Sequence, residues 1–218
     1  MRRLLIALGL VVLALVVIGL GLARALLVSG RPLRAGAAAA PVEVRAIESW
    51  ATEPAYIDFL ATDLRSRVEA MRARVGADGG VRVLFTAHSL PQRVIDGGDP
   101  YTDELRSTAE AVAARLDIHE GADWEIAWQS AGRTPEPWIG PDVLVVLDRL
   151  GSTDSVDGVV VCACGFVADH LEVLYDLDIE AAARATANGL AFDRTASVAD
   201  DERVMTALAM RVHALSTS

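Results

Sequence analysis

The hydrophobic pattern along the chain changes character once. Leu4 to Ala23 is a run of 20 residues without a charged or polar side chain. A bilayer-spanning helix needs roughly 20 such residues. Arg2 and Arg3 precede the run, and Arg24, Arg31 and Arg34 follow it. With basic residues on both sides, charge bias sets no orientation. Residues 1–28 therefore predict a hydrophobic N-terminal helix, read as an uncleaved transmembrane anchor. A signal peptide is the rival, because Ala23-Arg24-Ala25 and Ala37–Ala40 offer small-residue cleavage sites. Residues 29–41, rich in Ala, Gly, Arg and Pro, read as a linker.

From residue 42 to 218 the pattern alternates between helical and strand periods. Tyr56, Leu60, Leu64, Val68 and Met71 recur at helical spacing within Trp50–Val75. Val81–Phe85 predicts a buried strand. A helix opens at Asp99-Pro100, with Leu105, Ala109, Val112 and Leu116 on one face and acids in its first turns. Trp124–Trp128 predicts a second strand, Pro135–Pro141 an irregular loop, and Asp142–Leu150 a short helix. Gly158–Cys164 is apolar throughout and predicts a strand buried on both faces. Val167–Asn188 predicts a long helix, Leu190–Asp193 a short strand, and Ala199–Ala214 a final helix. The alternation predicts an α/β domain: a Rossmann-like parallel sheet with helices on both faces. In such sheets ligands bind beyond the carboxyl ends of the strands. That rule selects the loop Thr86–Pro91 and the segment Gly165–Glu172.

Composition sharpens the division. The chain is 52% hydrophobic with a mean hydropathy of +0.33, yet its net charge is −10. Residues 1–41 hold five Arg and no acid. The remaining 177 residues therefore hold 15 Arg against all 30 Asp and Glu, a net of −15. Phosphate neutralisation needs a basic face, so a nucleic-acid partner is excluded. All 20 basic side chains are Arg, which points to a GC-rich coding sequence. The two cysteines, Cys162 and Cys164, cannot build a disulfide framework.

Candidate chemistry lies at the selected strand ends. His88 follows an apolar strand, where an imidazole can exchange protons near neutral pH or bind a divalent metal. The plainer alternative is a histidine that caps the strand end. Glu172, Asp176 and Glu180 fall at i, i+4 and i+8, an acidic stripe on a helix. Like charges at that spacing repel by roughly 0.2–0.5 kcal/mol per pair. A stripe kept at that cost can hold a cation, though a solvated helix face is the alternative. Asp169, His170 and Asp178 thicken the cluster. The two cysteines share a strand face, but a structural zinc or iron–sulfur cluster needs four ligands, so they read as small buried hydrophobes. No nucleophile elbow or phosphate-binding Gly-Lys-Ser/Thr loop is present.

Together these stretches resemble the ferrochelatase family. The matching segments are Phe85-Thr-Ala-His-Ser-Leu-Pro91, Gly97-Gly-Asp-Pro-Tyr101, Trp128-Gln-Ser-Ala-Gly132 with Pro137-Trp138, and Gly165-Phe-Val-Ala-Asp-His-Leu-Glu-Val-Leu-Tyr-Asp176. Ile47-Glu-Ser-Trp50 resembles the lead-in. Their order fits the carboxyl-terminal half of the family, of the high-GC bacterial type. The resemblance implies a chelatase-like fold and the insertion of Fe²⁺ into a porphyrin in haem synthesis. Coproporphyrin III is implied as first substrate and protoporphyrin IX as second. It implies that His88 and Glu172 are catalytic and face each other, that Asp176 and Glu180 continue a metal route from them, and that Ser89, Leu90 and Pro91 line the substrate. Iron is implied as substrate, with no permanently bound cofactor. Some relatives hold an iron–sulfur cluster through cysteines near the carboxyl terminus. This chain has none there, so no cluster is expected.

The family folds as two similar domains around the porphyrin, and the amino-terminal one has no counterpart here. The expected partners are therefore a second copy or a separately encoded amino-terminal half, besides porphyrin, Fe²⁺ and a membrane. The expected location is the cytoplasm, tethered to the inner face of the cell membrane. The alternative function is a membrane-tethered, catalytically incomplete half-domain that binds porphyrin or metal.

Overall fold

The computed structural model describes residues 45–217. The apolar run Leu4–Ala23 and the linker lie outside the described residues. Among the described residues no helix is long and apolar enough to cross a membrane. The described residues divide into two units, residues 51–204 and residues 45–50 with 205–217. Within the latter, Arg211 Nη2 donates to the Ser49 carbonyl at 2.9 Å, and Arg45 donates to the Leu215 carbonyl.

The unit Ala51–Val204 is built on four parallel strands: β1 (Val81–His88), β2 (Trp124–Gln129), β3 (Gly158–Cys162) and β4 (Ala191–Arg194). Their order is β2-β1-β3-β4. In register, Ala87 opposes Trp128, His88 opposes Gln129, and Phe85 opposes Cys162. All pairs are parallel, as predicted. The helices of the described residues are α1 (Pro54–Val75), α2 (Gln92–Asp96), α3 (Tyr101–Leu116), α4 (Val143–Gly151), α5 (Leu171–Val173), α6 (Ala182–Ala187) and, mostly in the other unit, α7 (Glu202–Thr217). A π-helical segment, Leu174–Ala181, joins α5 to α6.

Local signals explain the boundaries. Pro54 opens α1, where its missing N–H costs nothing. Asp142 caps α4 by accepting from Leu144 N at 2.8 Å. Strand alternation then divides the core. Leu84, Ala127, Val159 and Val161 meet Val146, Leu147 and Leu150 of α4 and Val173, Leu177 and Ala181 of the α5–π run. On the opposite face α1 and α3 pack together. There Phe85 meets Trp124 edge-to-face at 5.3 Å. Gly158 lets α1 approach, since a Cβ there would sit 2.7 Å from Met71 Sδ.

The structure corrects several boundaries. β1 runs through His88 rather than ending at Phe85. Thr86 and Ala87 are fully buried within it, so the polar residue that reads as a loop is a ladder residue. α2 carries no buried residue and left no apolar period to read. β3 stops at Cys162, and Cys164 N turns back to the Cys162 carbonyl at 2.8 Å. The long helix starts at Leu171, not Val167, and widens into the π segment.

Candidate active site

His88 is the last residue of β1, on the face that carries α4 and the π segment. Its Nδ1 lies against the Ser89 carbonyl. A carbonyl only accepts, so in the neutral imidazole the proton sits on Nδ1 and the lone pair on Nε2. Nε2 faces Glu172 Oε2 at 3.7 Å. The His88 carbonyl accepts from Tyr101 Oη at 3.1 Å, which ties the strand end to α3. These candidate groups therefore lie at the carboxyl end of the sheet.

The loop after His88 is fastened on two sides. Ser89 N donates to the Gln129 carbonyl at 2.7 Å, and Ser89 Oγ donates to the Ile139 carbonyl at 2.7 Å. Ile139 N donates back to the Leu90 carbonyl at 2.9 Å. Ser89 and Leu90 are buried, and Pro91 is partly exposed and bridges to Trp138. The strand-end loop and the proline-spaced loop thus form one wall. Behind it, the Gln129 amide and Thr86 Oγ1 are buried without a hydrogen-bond partner among the described residues. Such atoms cost about 1–3 kcal/mol each, and these sit on the His88 face of the sheet.

Glu172 stands at the helix start and is exposed. Asp176 is half-buried, one step down the π segment. Burial raises its carboxyl above the usual range, and repulsion from Glu172 and Asp142 adds to this. Ser130 Oγ donates to Asp176 Oδ2 and opposes the rise, as does His88. Ser130 adopts φ +61°, a left-handed conformation uncommon outside glycine. Glu180 is exposed and makes no ion pair among the described residues. Asp169 and Asp178, which thickened the cluster in the sequence, are both bound by Arg194.

The π geometry matters for the stripe. Four residues overshoot an α-helical turn of 3.6 by roughly 40°. A π turn takes more residues, so the overshoot shrinks. Asp176 and Glu180 therefore stay closer to one line than an α-helix would hold them. No group of three His, Cys, Asp or Glu among the described residues is disposed to hold a metal ion. The carboxylates form a row rather than a cage.

Cys162 and Cys164 lie on the far side of the chemistry and are buried. A hydrogen bond donated to Cys164 and burial push the Cys162 thiol up, so it stays protonated at neutral pH. Tyr56 Oη donates to the Cys164 carbonyl at 2.6 Å. This matches their reading as small buried hydrophobes.

With this geometry in place, the comparison with known sequences is decisive. The ferrochelatase family profile matches residues 32–215. The chain belongs to the ferrochelatase family. It is 42% identical to the ferrochelatase of Herpetosiphon aurantiacus, over 73% of this chain and 50% of that protein. It is 40% identical to the coproporphyrin III ferrochelatase of Halalkalibacterium halodurans, over 63% of this chain and 42% of that protein. The ferrochelatase of Thermus thermophilus is 40% identical over 74% of this chain and 48% of its own length. The chain thus spans about half the length of the curated ferrochelatases it matches or less.

His88 and the acidic row were the candidates that the sequence offered; Ser130 and Arg194, which the structure sets against Asp176 and against Asp169 and Asp178, were not among them. Ser130 carried a faint signal, lying in the Trp128-Gln-Ser-Ala-Gly132 stretch. Arg194 carried none, because its partners are 16 and 25 residues away.

Proposed function

We propose that this chain provides the metal-handling half of a ferrochelatase reaction, the insertion of Fe²⁺ into a porphyrin in haem synthesis. The observation that carries the reading is the His88 Nε2–Glu172 pair, 3.7 Å apart at the carboxyl end of a parallel sheet. Insertion removes two pyrrole protons and delivers one cation. Nε2 of His88 accepts the two protons one after the other, releasing the first to solvent before taking the second, and Glu172 stabilises the imidazolium formed each time. Asp176 and Glu180 pass the cation toward this pair. A row of separated carboxylates suits a substrate metal, which must leave as readily as it arrives. Pro91, backed by Ser89 and Leu90, borders the porphyrin. Bending the macrocycle to expose its nitrogens costs about 1–5 kcal/mol of strain, drawn from binding elsewhere.

Coproporphyrin III is the first substrate in this reading, because several relatives carry that name, and protoporphyrin IX the second. Iron is substrate, and no resident cofactor is required. A second copy or a separately encoded half completes the cleft. The run Leu4–Ala23 tethers this cytoplasmic domain to the inner face of the membrane, which fractionation of the expressed chain checks.

The test is anaerobic iron insertion into both porphyrins, across protein concentration, with and without an amino-terminal half. Wild-type chain should metallate, and His88→Ala should lose at least about 100-fold, the general-base share. Full activity in His88→Ala, or no insertion in any setting, overturns the reading. A second reading is a half-domain that binds porphyrin or metal without catalysis. Porphyrin binding by absorbance titration without metallation would support that reading instead.

A further inference from the structure

Arg194 ends β4 and is only 13% exposed through its side chain. Its Nε and Nη2 donate to the two carboxylate oxygens of Asp178 at 2.5 and 2.9 Å. Its Nη1 donates to Asp169 at 3.2 Å and to the Thr195 carbonyl at 3.0 Å. Asp169 also accepts from Ser197 Oγ at 2.7 Å. Next to this, Ala199 N donates to the Val167 carbonyl at 2.7 Å. The loop after β4 is thus laid along the loop after β3. Asp169 stands just before Glu172, and Asp178 just after Asp176. One planar fork therefore grips both flanks of the segment that carries Glu172 and Asp176.

We propose that Arg194 is a positioning residue for metal delivery: its fork pins Asp169 and Asp178 and so fixes which carboxylates line the cation row. The proposal rests on the acidic row being the iron route. Two acids are withdrawn from the cluster, and Glu172, Asp176 and Glu180 remain to face the cation. A bidentate fork fixes orientation as well as charge. Lysine brings a point charge without that fork, so it is no substitute here.

The test compares Arg194→Lys, Arg194→Ala and Asp178→Asn in the full chain, with the complementary half wherever metallation needs it. Initial rates are measured against Fe²⁺ and against porphyrin, and amide exchange is followed over residues 171–181. Arg194→Lys and Asp178→Asn should both raise the KM for iron roughly 10-fold, as loss of a supporting shell around metal ligands does. The KM for porphyrin and kcat should stay near wild type, and exchange over 171–181 should quicken. If Arg194 acted through charge alone, Arg194→Lys would match wild type. Arg194→Ala would then lower the iron KM, because two uncompensated carboxylates strengthen the local field. That pattern overturns the proposal. Should the arginine variants fail to fold, Asp178→Asn decides on its own by the same readouts. If Asp176→Asn leaves iron dependence unmoved, the row itself is not the route. Quickened exchange in Arg194→Lys then preserves the clamp, and unaltered exchange removes it too.

Discussion

Asp176, which the proposed metal route uses, works against the fold at neutral pH. Burial first, then repulsion from Glu172 and Asp142, raises its pKa above the ordinary value. An acid whose folded pKa exceeds its unfolded value of about 3.9 favours the fold only below that value. The contribution is lost as pH rises through the folded pKa, so the carboxylate opposes folding at neutral pH. Asp176→Asn should therefore melt at the same temperature as wild type or higher at pH 7. The advantage should vanish near pH 4, while the variant's iron dependence weakens. A clearly lower midpoint at pH 7 would show that the Ser130 bond outweighs the repulsion. Asp169 behaves oppositely. Burial works against its charge, but Ser197 and Arg194 prevail and lower its pKa. Its stabilising share is present above the unfolded pKa and is lost as pH falls through the folded one.

At the scale of elements, the approach of the Gly165 turn to β1 is the tightest near the site. A Cβ on Gly165 would lie 2.2 Å from Ala87 Cβ, and Gly165 N donates to the Thr86 carbonyl at 3.0 Å. Ala87 is the neighbour of His88, so the strand cannot yield without moving the imidazole. Gly165→Ala should cost about 1–3 kcal/mol, as overpacking does. Denaturant unfolding measures it, and a change within 0.5 kcal/mol would show that the turn relaxes freely. The π segment rests on Leu177, which is fully buried against the α4 cluster. Leu177→Ala should cost about 2–5 kcal/mol and quicken amide exchange across Leu174–Ala181. The sequence did carry a trace of this widening. Val173, Leu177, Ala181 and Ala185 are all buried at an unbroken spacing of four. An α-helix of about 3.6 residues per turn drifts off such a row, and a wider turn follows it.

For the whole molecule, charge is the controlling quantity. Residues 42–218 carry 15 Arg against 30 acids. A field of that sign draws cations to the domain and is screened over a Debye length of about 8 Å at physiological ionic strength. Raising salt from about 10 mM to 0.3 M should weaken apparent iron affinity several-fold, while porphyrin affinity shifts less. An iron KM indifferent to salt would mean that the row acts only at contact range.

Periodicity and punctuation determined the architecture. Apolar runs separated by helical periods dictate a parallel sheet, because burial patterns are local and repeat along the chain. His88 and the acidic stretch were legible for the same reason. Tertiary structure alone decided which acids are bound by Arg194 and which by Ser130. The partners that sort them come from afar: Ser130 reaches Asp176 across 46 residues, and Arg194 reaches Asp169 across 25. The loop after His88 is likewise fastened from afar, by the Gln129 and Ile139 carbonyls that accept from Ser89. Such pairings depend on strand register and loop packing, which the folded sheet sets and no local pattern encodes.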